Sequence, residues 1–272
     1  IHPAEHPQPW MPPSNWNPAV AEAALPCSLA LDCLRRKAAA GLRLTLLVFS
    51  ICDGIGATWL ALDATLFQVV QMSFETHPAC LSVLRHRFPS LRHCGSSSSI
   101  SKHWLREAVE RHKPDACLLK GNGQFTHLNP ERVVGHSNHF APFWSFVECR
   151  DLLSGVLRAH GVPLFFLFVN SVMDTRSVAV ATAALGVNSV QMDAADFGWH
   201  VRKTLVWFNW QLLPGMEAWL SWDHSRSNWD LCMPREIGQL VPLGHVFKGG
   251  WWPIHLAKSA TKHHPEGRFV AM

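Results

Sequence analysis

The chain has 272 residues, 48% of them hydrophobic, enough for one sizeable core or one domain with an appendage. A formal net charge of +4 permits a nucleic-acid partner without arguing for one. No apolar run approaches the roughly 20 residues that a membrane span needs. Eight cysteines without a paired CxxC spacing argue against a zinc site, so neither a membrane nor a metal is expected as a partner.

Residues 1–43 read as a Pro-rich tail ("HPAEHPQPWMPPSNWNP") followed by a helix over 18–40, where Ala and Leu dominate. From Leu44, "LTLLVFSI" is a continuous apolar run, as in a parallel strand buried on both faces. "CDGIGA" and a helix in "TWLALDATLF" follow, then a second strand, "FQVVQMSFE". "HPACLSVLRHRFP" is a helix stopped by Pro89, "SKHWLREAVERHK" another helix, and "DACLLK" a third strand. A long amphipathic helix over 143–161 ends at Gly161, and "PLFFLFV" is the next strand. A helix in "SVAVATAALG" precedes strands in "VNSVQMDA" and "KTLVWFNW". This alternation predicts an α/β domain over 44–213, with a mainly parallel sheet and helices on both faces. Beyond it, 214–272 lose periodicity and read as an irregular segment rich in Trp, His, Gly and Pro.

Ligands of such sheets sit at the carboxyl ends of the strands. There, Asp53-Gly54-Ile55-Gly56 forms a tight turn that exposes backbone N–H groups before a helix. Glu75 ends the second strand, where an acid commonly holds ribose hydroxyls; a solvated helix-cap carboxylate is the plainer reading of Glu75 alone. Together the two features favour an adenosine-containing ligand. An unrelated dinucleotide-binding protein fits less well, because only Gly54 and Gly56 of a GxGxxG spacing are present. Arg85, His86, Arg87, Arg92 and His93 read as a solvated basic face rather than a phosphate site.

"VFSICDGIGATWLAL" resembles the first motif of cytosine-5 DNA methyltransferases, closest to the de novo group. "SFETHPACLSVLRHRFP", "DACLLKGNGQ", "NPERVVG" with "FWSFVECRDLL", "FFLFVNSV" and "VQMDAADFGWHVRKTLVWFNWQLLPGM" resemble later motifs of that family in order. The resemblance covers about 44–216 and implies a Rossmann-like S-adenosylmethionine-dependent methyltransferase fold. It implies S-adenosylmethionine as cofactor, held by Cys52, Asp53, Gly54, Ile55, Gly56, Glu75 and Ser96. It further implies a nuclear location, and DNA or a related active methyltransferase as partner. By the same resemblance, 214–272 are the remnant of a target-recognition region.

Family chemistry uses a cysteine thiolate that attacks C6 of a flipped cytosine, a glutamate on the ring's N3 edge and an arginine that positions the base. Those positions fall on Gly123, Val169 and Arg202. The nucleophile and the glutamate are thus missing, and the aromatic residue of the first motif is replaced by Cys52. Cys117, six residues before Gly123, lies inside a strand, where burial should raise its pKa. The expectation is a degenerate methyltransferase-like domain without methyl transfer. The alternatives are an active enzyme of atypical mechanism on DNA or RNA, and a non-functional gene fragment. The eight cysteines, with no visible secretory signal, read as reduced thiols of an intracellular protein.

Overall fold

The computed structural model describes residues 33–56, 58–59, 62, 67–123, 141–193, 202–210, 219–226 and 228–231. The Pro-rich tail, most of the helix expected after Gly56, the "NPERVVG" segment and residues 232–272 lie outside the described residues.

Residues 33–39 are helical (α1) and lead into β1 (Leu44–Ile51). The chain continues through β2 (Phe67–Phe74), α2 (Pro78–Arg87), β3 (Arg92–His93), a short 3-10 turn (Ser97–Ser99), α3 (Lys102–His112) and β4 (Ala116–Asn122). Then come α4 (Ala141–His160), β5 (Leu164–Ser171), α5 (Thr175–Leu185), β6 (Val190–Asp193) and β7 (Lys203–Phe208). The helix ends follow local chemistry. Pro78 opens α2 at a position whose N–H needs no helical partner. Ser101 caps α3 by accepting from Trp104 N–H at 3.2 Å. Gly161 and Gly186 leave α4 and α5 in the left-handed conformation.

With β8 (Leu220–Asp223) and β9 (Asn228–Leu231), one sheet runs in the order β3-β2-β1-β4-β5-β7-β6-β9-β8. β3, β2, β1, β4 and β5 are parallel, and β7 enters antiparallel between β5 and β6. β1 is apolar apart from Thr45 and Ser50 because both of its faces are covered. On one face Leu47, Phe49, Ile51, Met72 and Leu119 pack with Leu105 and Val109 of α3 and Phe143, Phe146 and Leu153 of α4. On the other, Leu46, Val48, Ala116 and Phe165 pack with Leu34 of α1. Each buried Leu or Phe contributes about 1.5–3 kcal/mol. The architecture is the Rossmann-like α/β fold expected from the sequence, with a mainly parallel sheet and helices on both faces.

Two features differ from the expectation. β3 is an extra two-residue strand, held by pairing with Met72 and Ser73. Within the stretch read as irregular, β8 (Leu220–Asp223) and β9 (Asn228–Leu231) form a hairpin that extends the same sheet beside β6. "LSWD" and "NWDL" are too short to show a period. Their pairing is secured by tertiary contact, with the Trp222 and Trp229 rings 5.2 Å apart.

The chain crosses from β1 outward to β2 and β3, then returns to β4 on the other side of β1. The reversal makes the carboxyl ends of β1 and β4 the topological switch point, where open α/β sheets receive ligands.

Candidate functional site

The loop leaving β1 is shaped by backbone conformation. Cys52, Gly54 and Gly56 all have positive φ, at 53°, 64° and 85°. For Cys52 this costs about 1–2 kcal/mol, and two bonds hold the residue there. Its N–H donates to Phe74 O at 2.9 Å, and its carbonyl accepts from Asn122 Nδ2 at 3.3 Å. Gly56 is required twice over: besides its φ, a Cβ would lie 2.6 Å from Phe88 Cε2. Gly54 differs, since a Cβ there would meet nothing within 4 Å. The loop is therefore packed against α2 at Gly56 and open over Gly54, where Ile55 projects an exposed apolar side chain.

Glu75 joins the loop to the end of β2. Its Oε2 accepts from Gly54 N–H at 2.8 Å, and its Oε1 accepts from the N–H groups of Thr76 and His77, each at 2.8 Å. A carboxylate offers about four lone-pair sites, so these three donors leave one unused. Glu75 is buried and α2 has no side-chain cap, so it is not the solvated helix-cap carboxylate of the plainer reading; it joins the Gly54 loop to the turn before α2.

Asp53 is turned inward and only 1% exposed. Its carboxylate accepts from Ser50 Oγ at 2.7 Å and from Gln71 Nε2 at 3.2 Å, so it shapes the loop from below. Lys120 Nζ lies 3.9 Å from Asp53 Oδ1. Burial draws the Lys120 ammonium below the usual lysine range, against the pull of Asp53, then Cys52 and Glu75. Cys94 N–H donates to Ser73 O at 2.8 Å and brings the following turn to the end of β2. There Ser96 is exposed, and its Oγ accepts from Ser98 N–H at 3.2 Å, capping the 3-10 turn. The seven residues expected around a cofactor thus divide. Cys52, Gly54, Ile55, Gly56 and Glu75 form one corner, Asp53 supports it from inside, and Ser96 caps a turn of its own.

Of the three positions carried over for catalysis, two stand together. Gly123 follows β4, and its N–H donates to Val169 O on β5 at 2.8 Å. Ser171, two residues beyond Val169, is level with Thr204, two residues after Arg202. Arg202 is exposed, and its N–H donates to Asp193 Oδ1 at 3.1 Å. The fold therefore places Gly123 beside Val169, while the partner of Val169 across the sheet is Val206 rather than Arg202, and neither Gly123 nor Val169 carries a reactive group. The nearby thiols do not replace one. Burial pushes Cys52 up, Glu75 adds to this, and Lys120 opposes it. Cys117 is fully buried, and burial, then Cys149, holds its thiol well above the usual range, as the strand position led us to expect.

Sequence reasoning missed Lys120, Ser50 and Gln71, whose side chains surround Asp53. One signal was present: a lysine inside an otherwise apolar strand. The basic residues of α2, Arg85, His86 and Arg87, are exposed in its last turn, where cations complement the helix dipole. Trp207 is fully buried in the core. Among the described residues no group of three His, Cys, Asp or Glu could hold a metal ion, and no helix is long and apolar enough to cross a membrane.

No protein-family model matches the chain. A comparison with curated proteins gives no match. Among solved structures, a methyltransferase of Entamoeba histolytica is similar over 60% of this chain and 52% of its own, at 10% identity and a TM-score of 0.38. An rRNA methylase from Streptococcus thermophilus is similar over 60% of this chain and 87% of its own, at 10% identity and a TM-score of 0.36. A SAM-dependent methyltransferase from Agrobacterium tumefaciens is similar over 60% of this chain and 55% of its own, at 13% identity and a TM-score of 0.34. The chain spans about half the length of the first and third of these.

Proposed function

We propose that the chain is a degenerate cytosine-5 methyltransferase-like domain that binds an adenosyl ligand and does not transfer its methyl group. The observation that carries this reading is the corner in which Glu75 Oε2 accepts from Gly54 N–H at 2.8 Å, at the switch point of the sheet. The corner offers a carboxylate acceptor for ribose and open space over a glycine, as an adenosyl group requires. S-adenosylmethionine, when bound, would supply the methyl group. Cys52, Gly54, Ile55 and Glu75 would hold it, with Asp53 and Gly56 fixing the loop.

The inactive part of the proposal rests on Gly123 and Val169. A covalent route through C6 of cytosine needs a thiolate, and no rearrangement of Gly123 supplies one. Without a glutamate at Val169, the base's N3 edge has no acid to polarise it. The ordered motif resemblance over 44–216 is what points to the cytosine-5 group.

The test combines two measurements on the full chain. Equilibrium dialysis with labelled S-adenosylmethionine is expected to give a micromolar Kd, about −8 kcal/mol. Incubation with cytosine-containing DNA is expected to transfer no label above a protein-free blank. Methyl transfer that survives stringent repurification would establish the active alternative. Absence of binding by a well-folded sample would make the chain a relic of the fold.

A further inference from the structure

The amino-terminal end of the sheet, opposite the ligand corner, gathers positive charge that the adenosyl site does not use. β1, β4 and β5 are parallel neighbours, so their first residues lie at one end. α3 and α4 pack on one face and run back against the strands, so both finish at that end. α1 packs on the other face and leads into β1 there, and its Lys37 Nζ meets Asp115 before β4 at 2.9 Å. The topology thus brings together Arg36 of α1, Arg43 before β1, Arg111 and Lys113 at the end of α3, and Arg158 in the last turn of α4. All five are exposed.

Little offsets this charge. Asp115 is already matched by Lys37, which leaves Glu110, one turn before the end of α3, as the exposed acid nearby. None of the five cations forms an ion pair with a described acid. Asp223 lies four strands beyond β5 and meets Arg226 at 3.7 Å. Asp53, Glu75, Asp174 and Asp193 lie at the carboxyl end. Helix dipoles account for part of the pattern, since Arg111 and Arg158 complement the ends of α3 and α4. Arg43 precedes a strand and is not explained this way. Lys113 is unusual in another respect. It leaves α3 with φ 42°, whereas Gly41, Gly161 and Gly186 take the left-handed position after α1, α4 and α5. A lysine here carries strain that a glycine would not.

A helix is about 10–12 Å across, so cations on opposite faces of one sheet do not close on a single phosphate. They suit the two phosphate rows that border a groove of duplex DNA, about 12 Å wide. Four of the five are arginine, whose planar fork pairs with phosphate oxygens through two hydrogen bonds. A bilayer fits less well. Among the described residues, Leu42, 58% exposed, is the one large apolar side chain displayed at this end, and membrane binding scales with buried apolar area.

We propose that Arg36, Arg43, Arg111, Lys113 and Arg158 form a second binding surface, which holds duplex DNA by its phosphates without reading sequence. The surface stands about 26 Å from the ligand corner, the length of the eight residues of β1. It anchors the chain on DNA instead of presenting a base to that corner, and it does not depend on the adenosyl-binding reading.

Fluorescence anisotropy of the full chain with a labelled DNA duplex of random sequence tests it, with circular dichroism to confirm folding. Affinity should fall with salt at a log–log slope of about −4. Arg43→Gln, Lys113→Gln and Arg158→Gln should each reduce that slope by about 1, and together they should weaken binding about tenfold or more. Lys102→Gln removes the same charge at the other end of α3 and should leave Kd within about twofold. Lys113→Gly should raise the melting temperature, by relieving the left-handed strain, while weakening DNA binding. The proposal is overturned if the folded wild type does not bind, or if Lys102→Gln loses as much affinity as the triple variant. It is overturned equally if Lys113→Gly binds as the wild type does. RNA duplexes or vesicles rich in anionic lipid that bind as tightly as DNA at equal salt would also overturn it.

Discussion

The backbone N–H of Gly123 donates to the carbonyl oxygen of Val169 at 2.8 Å. The position where the resemblance asks for a nucleophile thus stands directly beside the position where it asks for a glutamate. Gly123→Cys restores only the thiol, so methyl incorporation into cytosine-containing DNA should stay at the wild-type background. Gly123→Cys combined with Val169→Glu is expected to be the first variant to give product. Product from the single variant would show that the glutamate position is dispensable.

Gly54 and Gly56 share a positive φ but not an environment. Gly54→Ala meets open space and carries only the left-handed strain, about 1–2 kcal/mol. Gly56→Ala adds a Cβ at 2.6 Å from Phe88 and 2.8 Å from Leu84, side chains packed in a buried cluster. Overpacking adds about 1–3 kcal/mol. Urea denaturation should rank the variants wild type, Gly54→Ala, Gly56→Ala in falling stability.

Asp115 ties the start of β1 to α1. Its Oδ2 accepts from Thr45 N–H at 3.0 Å, and its Oδ1 meets Lys37 Nζ at 2.9 Å. Burial pushes the carboxyl up, but the Thr45 N–H and Lys37 together outweigh it and hold the pKa below the usual aspartate value. A folded pKa depressed below the unfolded one gives stability that is present above the unfolded pKa, near 4, and lost as pH falls through the folded value. Asp115→Asn should therefore flatten the acid limb of a stability–pH curve below about pH 4. The two proteins should run parallel from pH 6 to 8.

The cysteines should react in an order set by burial. Cys33 is exposed, whereas Cys117 and Cys149 are buried, with burial pushing Cys149 to about 12. Thiolate is the reactive form. Iodoacetamide at pH 8 followed by peptide mapping should label Cys33 in the native chain. Cys117 and Cys149 should be labelled only after unfolding.

Much of the fold was legible because long parallel strands and amphipathic helices carry strong periods. "LTLLVFSI" coincides with β1, and α2, α3 and α4 begin and end within a few residues of their expected limits. β3, β8 and β9 were not legible, since strands of two to four residues owe their existence to neighbours rather than pattern. The tight turn at Gly54 was legible because turn chemistry is local, whereas its hydrogen bond to Glu75 joins two strand ends that no local signal connects. Asp53 was expected to face the ligand and instead faces Ser50 and Gln71. That orientation depends on Gln71, eighteen residues away in β2, and on Lys120 in β4, which no local signal connects to it.

The most direct measurement is calorimetric titration of S-adenosylhomocysteine into the full chain and into Glu75→Ala. Glu75 holds Gly54, Thr76 and His77 and has one lone-pair site unused. The account predicts one site of micromolar affinity in the wild type and at least a tenfold weakening in Glu75→Ala. Wild-type binding that Glu75→Ala leaves unchanged would place the ligand elsewhere, and no heat from a folded wild type would contradict the adenosyl site altogether.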